Sequence, residues 1–278
     1  MNRRALLPFL ISLIWVPPLV IACTVQLSGV TPTSAPIPPT AIPTPAPPSP
    51  TPVLVPLPPP GTSWNYAVLG DSSSWGFPKF YAEYIEADLG VKVTVLDWTV
   101  GGMTSREVLR QLRSNKQERL DVSQAEVVTF YGNPLHFIGL CIAGGIPSDQ
   151  CKCSLQEVAG YKAELNAIAG EIFSLRKGQP TIIRTYTRFM PFYRQWREQG
   201  LFDEYRRCVA ALDAAILEVG KEHGILVADT GLALNGPNHD QDPYDKGYLL
   251  EDGIHENDVG AKVVADVFRK LGYESIIP

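Results

Sequence analysis

Tyr66-Ala67-Val68-Leu69-Gly70-Asp71-Ser72-Ser73-Ser74-Trp75-Gly76 joins four apolar residues to a turn of glycine, aspartate and serine. A short continuous apolar run that stops at a glycine has the pattern of a strand buried on both faces. The residues that follow change period. Over 77–89, Phe80, Tyr84 and Ile85 share one face at helical spacing, which predicts a helix. The alternation then repeats, with strands predicted at 91–96, 126–131, 181–186 and 225–228 and helices at 104–113, 154–176, 201–222 and 257–271. Five apolar strands alternating with helices imply an α/β domain, a five-stranded parallel sheet in a three-layer α/β/α sandwich. That domain spans 64–278, and no internal repeat divides it.

The first 63 residues are of another kind. No charged residue occurs between Arg4 and Asp71, and 14 of the 25 prolines fall between Thr31 and Pro60, so this stretch is not core-forming sequence. Residues 1–22 place Arg3 and Arg4 ahead of an apolar run from Ala5 to Ala22, the pattern of a secretory signal peptide. A transmembrane anchor is the alternative, but the run is short for a span, and Pro17 and Pro18 would break its helix. Val20-Ile21-Ala22-Cys23 resembles the bacterial lipobox, which implies cleavage before Cys23 and lipidation of that cysteine. Residues 24–63 form a Pro/Thr/Ser/Ala tract that favours extended polyproline II, a disordered linker rather than a packed element. At ~3.1 Å per residue, forty such residues reach on the order of 120 Å. The expectation is an extracytoplasmic lipoprotein, at the cell surface or in the periplasm, whose domain stands on a stalk. It would meet the membrane only through its N-terminal lipid.

Charge narrows the partners. Without residues 1–22 the chain carries 22 basic and 29 acidic residues, a net charge of −7. With no Lys/Arg cluster, that balance argues against a nucleic-acid partner.

Four cysteines remain in the body: Cys141, Cys151, Cys153 and Cys208. An even number in an exported chain points to disulfides. Cys151 and Cys153 are too close to pair comfortably. That leaves 141–151 with 153–208, or 141–153 with 151–208, and the first is preferred. A zinc site is the competing reading, but Cys-x-Cys plus distant cysteines lacks a usual ligand spacing.

In open parallel sheets, ligands bind beyond the carboxyl ends of the strands, and polar residues gather at those ends here. They are Gly70-Asp71-Ser72, Val100-Gly101-Gly102, Tyr131-Gly132-Asn133-Pro134 and Asp252-Gly253-Ile254-His255. A serine is a weak nucleophile until a base takes its proton and an acid orients that base. His255 and Asp252 supply both from one short loop, since Asp-x-x-His spacing lets the carboxylate curl back onto one ring nitrogen. The oxyanion that forms on an attacked carbonyl needs preorganised donors. The backbone N–H groups of Ser72 and Gly102 and the side-chain amide of Asn133 are suited to that role. Asp71 is expected to brace the turn rather than react. Trp75 and Trp98 lie beside predicted site loops, either as a wall for substrate or as core. His136, His223 and His239 are expected to be ordinary surface residues.

Gly70-Asp71-Ser72, Gly102, Asn133 and Asp252-x-x-His255, in this order, resemble the four blocks of the SGNH (GDSL-type) hydrolases. The resemblance covers residues 66–272. It implies a flavodoxin-like fold and hydrolysis of carboxylic esters without metal or cofactor. It also implies Ser72 as nucleophile, His255 as general base and acid, Asp252 as its orienter, and Gly102 with Asn133 in the oxyanion hole. Three positions depart from the family pattern, the first being Tyr131 where the third block usually opens with glycine. Pro134 follows Asn133 where an aspartate is usual, and Glu256 follows His255 where a proline is usual. The expected function is therefore that of an extracytoplasmic serine esterase acting on a small-molecule or polysaccharide ester, including O-acetyl groups. A lipase or lysophospholipase of the same fold, an O-acyltransferase, and a silent binding protein on the same scaffold are the alternatives.

Overall fold

The computed structural model describes Pro59 and residues 61–143, 146–148 and 153–278. Residues 1–58, with the expected signal peptide, Cys23 and most of the linker, lie outside the described residues, as does Cys151. In chain order the elements are β1 (Ser63–Gly70), α1 (Phe77–Leu89), β2 (Lys92–Thr99), α2 (Ser105–Ser114), α3 (Lys116–Gln124) and β3 (Val127–Phe130). There follow α4 (Leu135–Ile138), β4 (Ile142–Ala143), β5 (Ile146–Pro147), α5 (Leu155–Leu175) and β6 (Ile182–Tyr186). The chain closes with α6 (Tyr193–Glu198), α7 (Phe202–His223), β7 (Leu226–Ala228), α8 (Thr230–Asn235) and α9 (Asp258–Lys270).

Five strands form one sheet in the order β2-β1-β3-β6-β7, and every pair in it is parallel. The order reverses between β1 and β3. This is the switch-point arrangement of the flavodoxin-like fold, which opens a crevice at the carboxyl edge of those two strands. Burial follows position in the sheet. From Tyr66 onward β1 is fully buried, as are β3 and β6, whereas the edge strand β2 is half exposed. Strands covered on both faces hold nothing but apolar or satisfied side chains. Arg184 in β6 meets that demand in part: its two terminal nitrogens donate to the carbonyls of Ile183, Gly272 and Glu274, which ties the C-terminal segment to the sheet, while its buried Nε has no partner.

Helices α1 and α9 pack together on one side of the sheet, and α2, α5 and α7 pack together on the other. The longer helices are sharply punctuated. Thr104 and Ser154 each form a capping box with the glutamate three residues on, which satisfies two orphan donors at each helix start. A disulfide joins Cys153, just ahead of α5, to Cys208 within α7. Cys141 is also disulfide-bonded, while the other half of the preferred pairing, Cys151, lies outside the described residues. A cysteine in that disulfide is not a zinc ligand.

The five strands and five main helices lie within a few residues of their predicted bounds. The short helices α3, α4, α6 and α8 and the β4–β5 ribbon were not predicted. Helix α3, KQERLDVSQ, buries only Glu118 and Val122, too few apolar positions to leave a periodic signal.

Candidate active site

The site begins at the end of β1. Gly70 has φ +151°, and a Cβ there would lie 2.7 Å from the Ser74 hydroxyl and 3.2 Å from the Tyr131 carbonyl. Only glycine fits so close an approach. The chain then enters a 3₁₀ turn over Ser72–Ser74, capped by Asp71. Asp71 is buried and accepts from the Ser73 backbone N–H at 3.1 Å and the Ser73 hydroxyl at 2.6 Å. The Ser74 hydroxyl bonds the Tyr186 hydroxyl at 2.7 Å. Two of the three serines are thus fastened to Asp71 and Tyr186. Ser72 is left, partly exposed, at the head of the turn.

The other carboxylate oxygen of Asp71 accepts from the side-chain amide of Asn133. Two further bonds hold that residue and a third holds its neighbour Gly132. Its carbonyl accepts from the Ser105 N–H at 2.8 Å, its amide oxygen accepts from the Leu135 N–H at 3.0 Å, and the preceding Gly132 carbonyl accepts from the Tyr161 hydroxyl at 2.7 Å. Pro134 serves as the N-terminal flank of α4. Without the usual aspartate after it, Asn133 still turns its amide towards the serine turn. A primary amide has two N–H groups, so one can hold Asp71 while the other serves a ligand.

The second block is a turn in which the Met103 N–H donates to the Val100 carbonyl at 3.0 Å. Gly102 has φ +72°, a left-handed conformation that glycine adopts without strain. The turn abuts Trp75, since a Cβ at Gly101 would lie 3.2 Å from the indole. Thr104, just beyond, is bridged to Asn133.

The fourth block lies between α8 and α9. His255 Nδ1 sits 2.8 Å from Asp252 Oδ2, while Asp252 Oδ1 accepts from the N–H groups of Ile254 at 2.8 Å and His255 at 3.0 Å. Burial pushes the Asp252 carboxyl up, but the N–H groups and the His255 ring together outweigh it and hold it below the ordinary carboxylate range. An ionised Asp252 bonded to Nδ1 selects the tautomer whose Nε2 is free to accept a proton. The imidazole lies parallel to the Trp75 indole, 5.5 Å between centres, and the Trp75 backbone N–H donates to the Ser72 carbonyl at 3.2 Å. All four blocks are thereby linked through Trp75 and Asn133.

Other expectations change. Trp98 belongs elsewhere, its Nε1 donating to Asp121 of α3 at 3.1 Å. His136 and His223 are partly buried and paired, with Glu164 at 3.0 Å and Asn166 at 3.0 Å. Two charged groups take on weight in the folded chain: Arg188, which the sequence reading does not single out, and Glu256. Arg188, two residues past β6, has a buried Nε without a partner, and the charge of its guanidinium bears on Asp71 and Glu256. Burial pushes the Glu256 carboxyl up to about 7, with Arg188 opposing and the charges of Asp71 and Asp252 adding to the rise. The rule that ligands gather beyond strand ends pointed to Tyr186-Thr187-Arg188 as much as to the other strand ends.

No protein-family model and no curated protein matches the sequence. Solved structures match the fold. The lipase Lip_vut3 from a goat rumen metagenome superposes with a TM-score of 0.61 at 18% identity, over 76% of this chain and 98% of the lipase. A variant of Axe2, an acetyl xylan esterase from Geobacillus stearothermophilus, gives 0.53 at 20% identity over 77% and 97%. The acetyl xylan esterase AlAXEase gives 0.53 at 14% identity over 75% and 99%. The chain shares its fold with these lipase and esterase structures. The four blocks stand at the carboxyl edge of the sheet, where the strand-end rule placed them.

Proposed function

We propose that the chain is a serine hydrolase of carboxylic esters, acting outside the cytoplasm. The observation that carries this reading is the bond between His255 Nδ1 and Asp252, which leaves Nε2 as a base in a loop joined to the Ser72 turn by Trp75. In the reaction, Nε2 takes the Ser72 proton as Oγ attacks the ester carbonyl. The N–H groups of Ser72 and Gly102 and the Asn133 amide receive the negative charge on the carbonyl oxygen. His255 then passes the proton to the departing alcohol and leaves an acyl-serine. A water attacks that ester and gives its proton to the same nitrogen, which returns it to Ser72 Oγ as the C–O bond breaks and the acid leaves.

An acetylated polysaccharide suits the acetyl xylan esterases among the structural neighbours, and an acyl lipid suits the lipase. The polysaccharide is preferred, because a stalk of polyproline II would carry the domain away from its own membrane. The N-terminal pattern, with Cys23 as the lipid site, supports that extracytoplasmic placement. The test is hydrolysis of p-nitrophenyl acetate by the protein and by Ser72→Ala. Turnover that vanishes in the variant is expected, and equal rates would overturn Ser72 as nucleophile.

A further inference from the structure

Pro134, directly after Asn133, has neither an N–H nor a polar side chain with which to hold the loop. The hold comes from one face of α5, where Tyr161, Glu164 and Leu165 stand at i, i+3 and i+4. The Tyr161 hydroxyl donates to the Gly132 carbonyl at 2.7 Å. A Cβ at Gly132 would lie 2.8 Å from Leu165 Cδ2 and 2.8 Å from Ser105 Cβ. The chain just ahead of Asn133 is thus wedged between α5 and the start of α2, with no room for a side chain.

Glu164 grips the loop from both sides. Its Oε2 accepts from the Ser105 hydroxyl at 2.6 Å and lies 3.0 Å from His136 Nε2. Ser105 in turn donates its backbone N–H to the Asn133 carbonyl at 2.8 Å, and His136 lies just beyond Asn133 in α4. The two attachments therefore bracket Asn133. Glu164 Oε1 takes a third donor, Arg106 Nε at 3.2 Å. A carboxylate has about four lone-pair sites for such donors, and an amide oxygen has about two. The Glu164 side chain is only 17% exposed, so solvent screens these bonds little. Asn133 needs such a frame. Its amide must hold Asp71 with one N–H and meet the carbonyl oxygen with the other, and an oxyanion donor works only where it is preorganised.

We propose that Glu164 is a positioning residue, which aims the Asn133 amide into the oxyanion hole through Ser105 and His136. The inference rests on the esterase reading, with Asn133 as oxyanion donor, and adds the group that aims it.

A double-mutant cycle in the full chain, read on p-nitrophenyl acetate, tests this. Glu164→Ala should lower kcat about ten- to thirtyfold and move KM less than about twofold, because an aimed donor acts on the transition state. In an Asn133→Ala background the same change should cost less than about twofold, since no amide is left to aim. Glu164→Gln, which keeps one acceptor, should recover part of the loss, and it takes the place of Glu164→Ala in the cycle if that variant does not fold. Glu171→Ala is the control. Two turns further along α5, Glu171 ties that helix to Arg113 at 2.8 Å and Arg119 at 3.5 Å, away from the Asn133 loop, and its loss should leave kcat within about twofold. An unchanged kcat in Glu164→Ala, an equal loss in both backgrounds, or a loss that Glu171→Ala reproduces overturns Glu164 as a positioning residue. Asn133→Ala at the parent rate overturns it as well, while loss of turnover in Ser72→Ala leaves the esterase reading standing. No turnover by the parent overturns both.

Discussion

The Trp75 indole and the His255 imidazole lie 5.5 Å apart with their planes 11° from parallel. Trp75 is 54% exposed, so this contact contributes little to burying apolar surface. Its effect is on position, because it joins the turn that carries Ser72 to the loop that carries the base. Trp75→Ala should leave the melting temperature within about 4 °C of the parent, as surface substitutions do. It should lower kcat on p-nitrophenyl acetate by roughly ten- to hundredfold, since small misplacements of reacting groups cost that much. Melting curves and steady-state kinetics on one preparation separate the two effects.

Asn133 has two tasks, and its removal should show both. Asn133→Ala takes away an oxyanion donor, worth about 10²–10³ in kcat. It also strips a hydrogen bond from the buried Asp71 carboxylate, at about 1–3 kcal/mol of stability. A variant that loses stability yet keeps full kcat would show that the amide serves Asp71 alone.

Asp252→Asn keeps the shape of the loop but presents His255 with an amide. The ring would then be free to take the wrong tautomer, and kcat should fall by about 10²–10⁴. Activity of Asp252→Asn near the parent level would mean that another group orients His255.

Glu118 is buried in α3 with one carboxylate oxygen lacking a partner. Burial pushes its pKa up to about 7 from an ordinary 4.5, the Gln111 side chain opposing and Asp121 adding. A carboxyl whose folded pKa lies above its unfolded value is taken up neutral on folding. Its contribution is full below about pH 4.5 and is lost as pH rises towards 7. Glu118→Gln should therefore be more stable than the parent at pH 8, by about 2–3 kcal/mol, and little different at pH 4.5. Urea unfolding at the two pH values measures this. Asp213 and Glu256, both pushed up to about 7 chiefly by burial, tilt the parent's profile in the same direction.

The Cys153–Cys208 bridge closes a loop across a sequence separation of 55 residues. By the chain-entropy relation it contributes about 4 kcal/mol. Replacing both cysteines by alanine should cost about that in urea unfolding. Activity below the transition should persist, because neither sulfur touches the candidate site.

Much of this protein was determined by the sequence alone. The central strands are buried on both faces, so they had to be written as unbroken apolar runs, and α/β alternation was legible from period alone. The candidate triad was legible too, since Asp252 and His255 are local partners and Ser72 stands beside a Gly-Asp turn at a strand end. The tertiary structure decided what depends on residues far apart in the chain. The place after Gly70-Asp71 picked out Ser72, and the fold adds that Asp71 and Tyr186 claim the hydroxyls of Ser73 and Ser74. The places of Trp98, Arg188 and Glu256 were likewise set by packing. The physical reason is the range of the forces. Backbone periodicity and short loops act within a few residues and leave a pattern in the order of amino acids. Burial and electrostatics act through space, and the neighbours that matter for them exist only once the chain has folded.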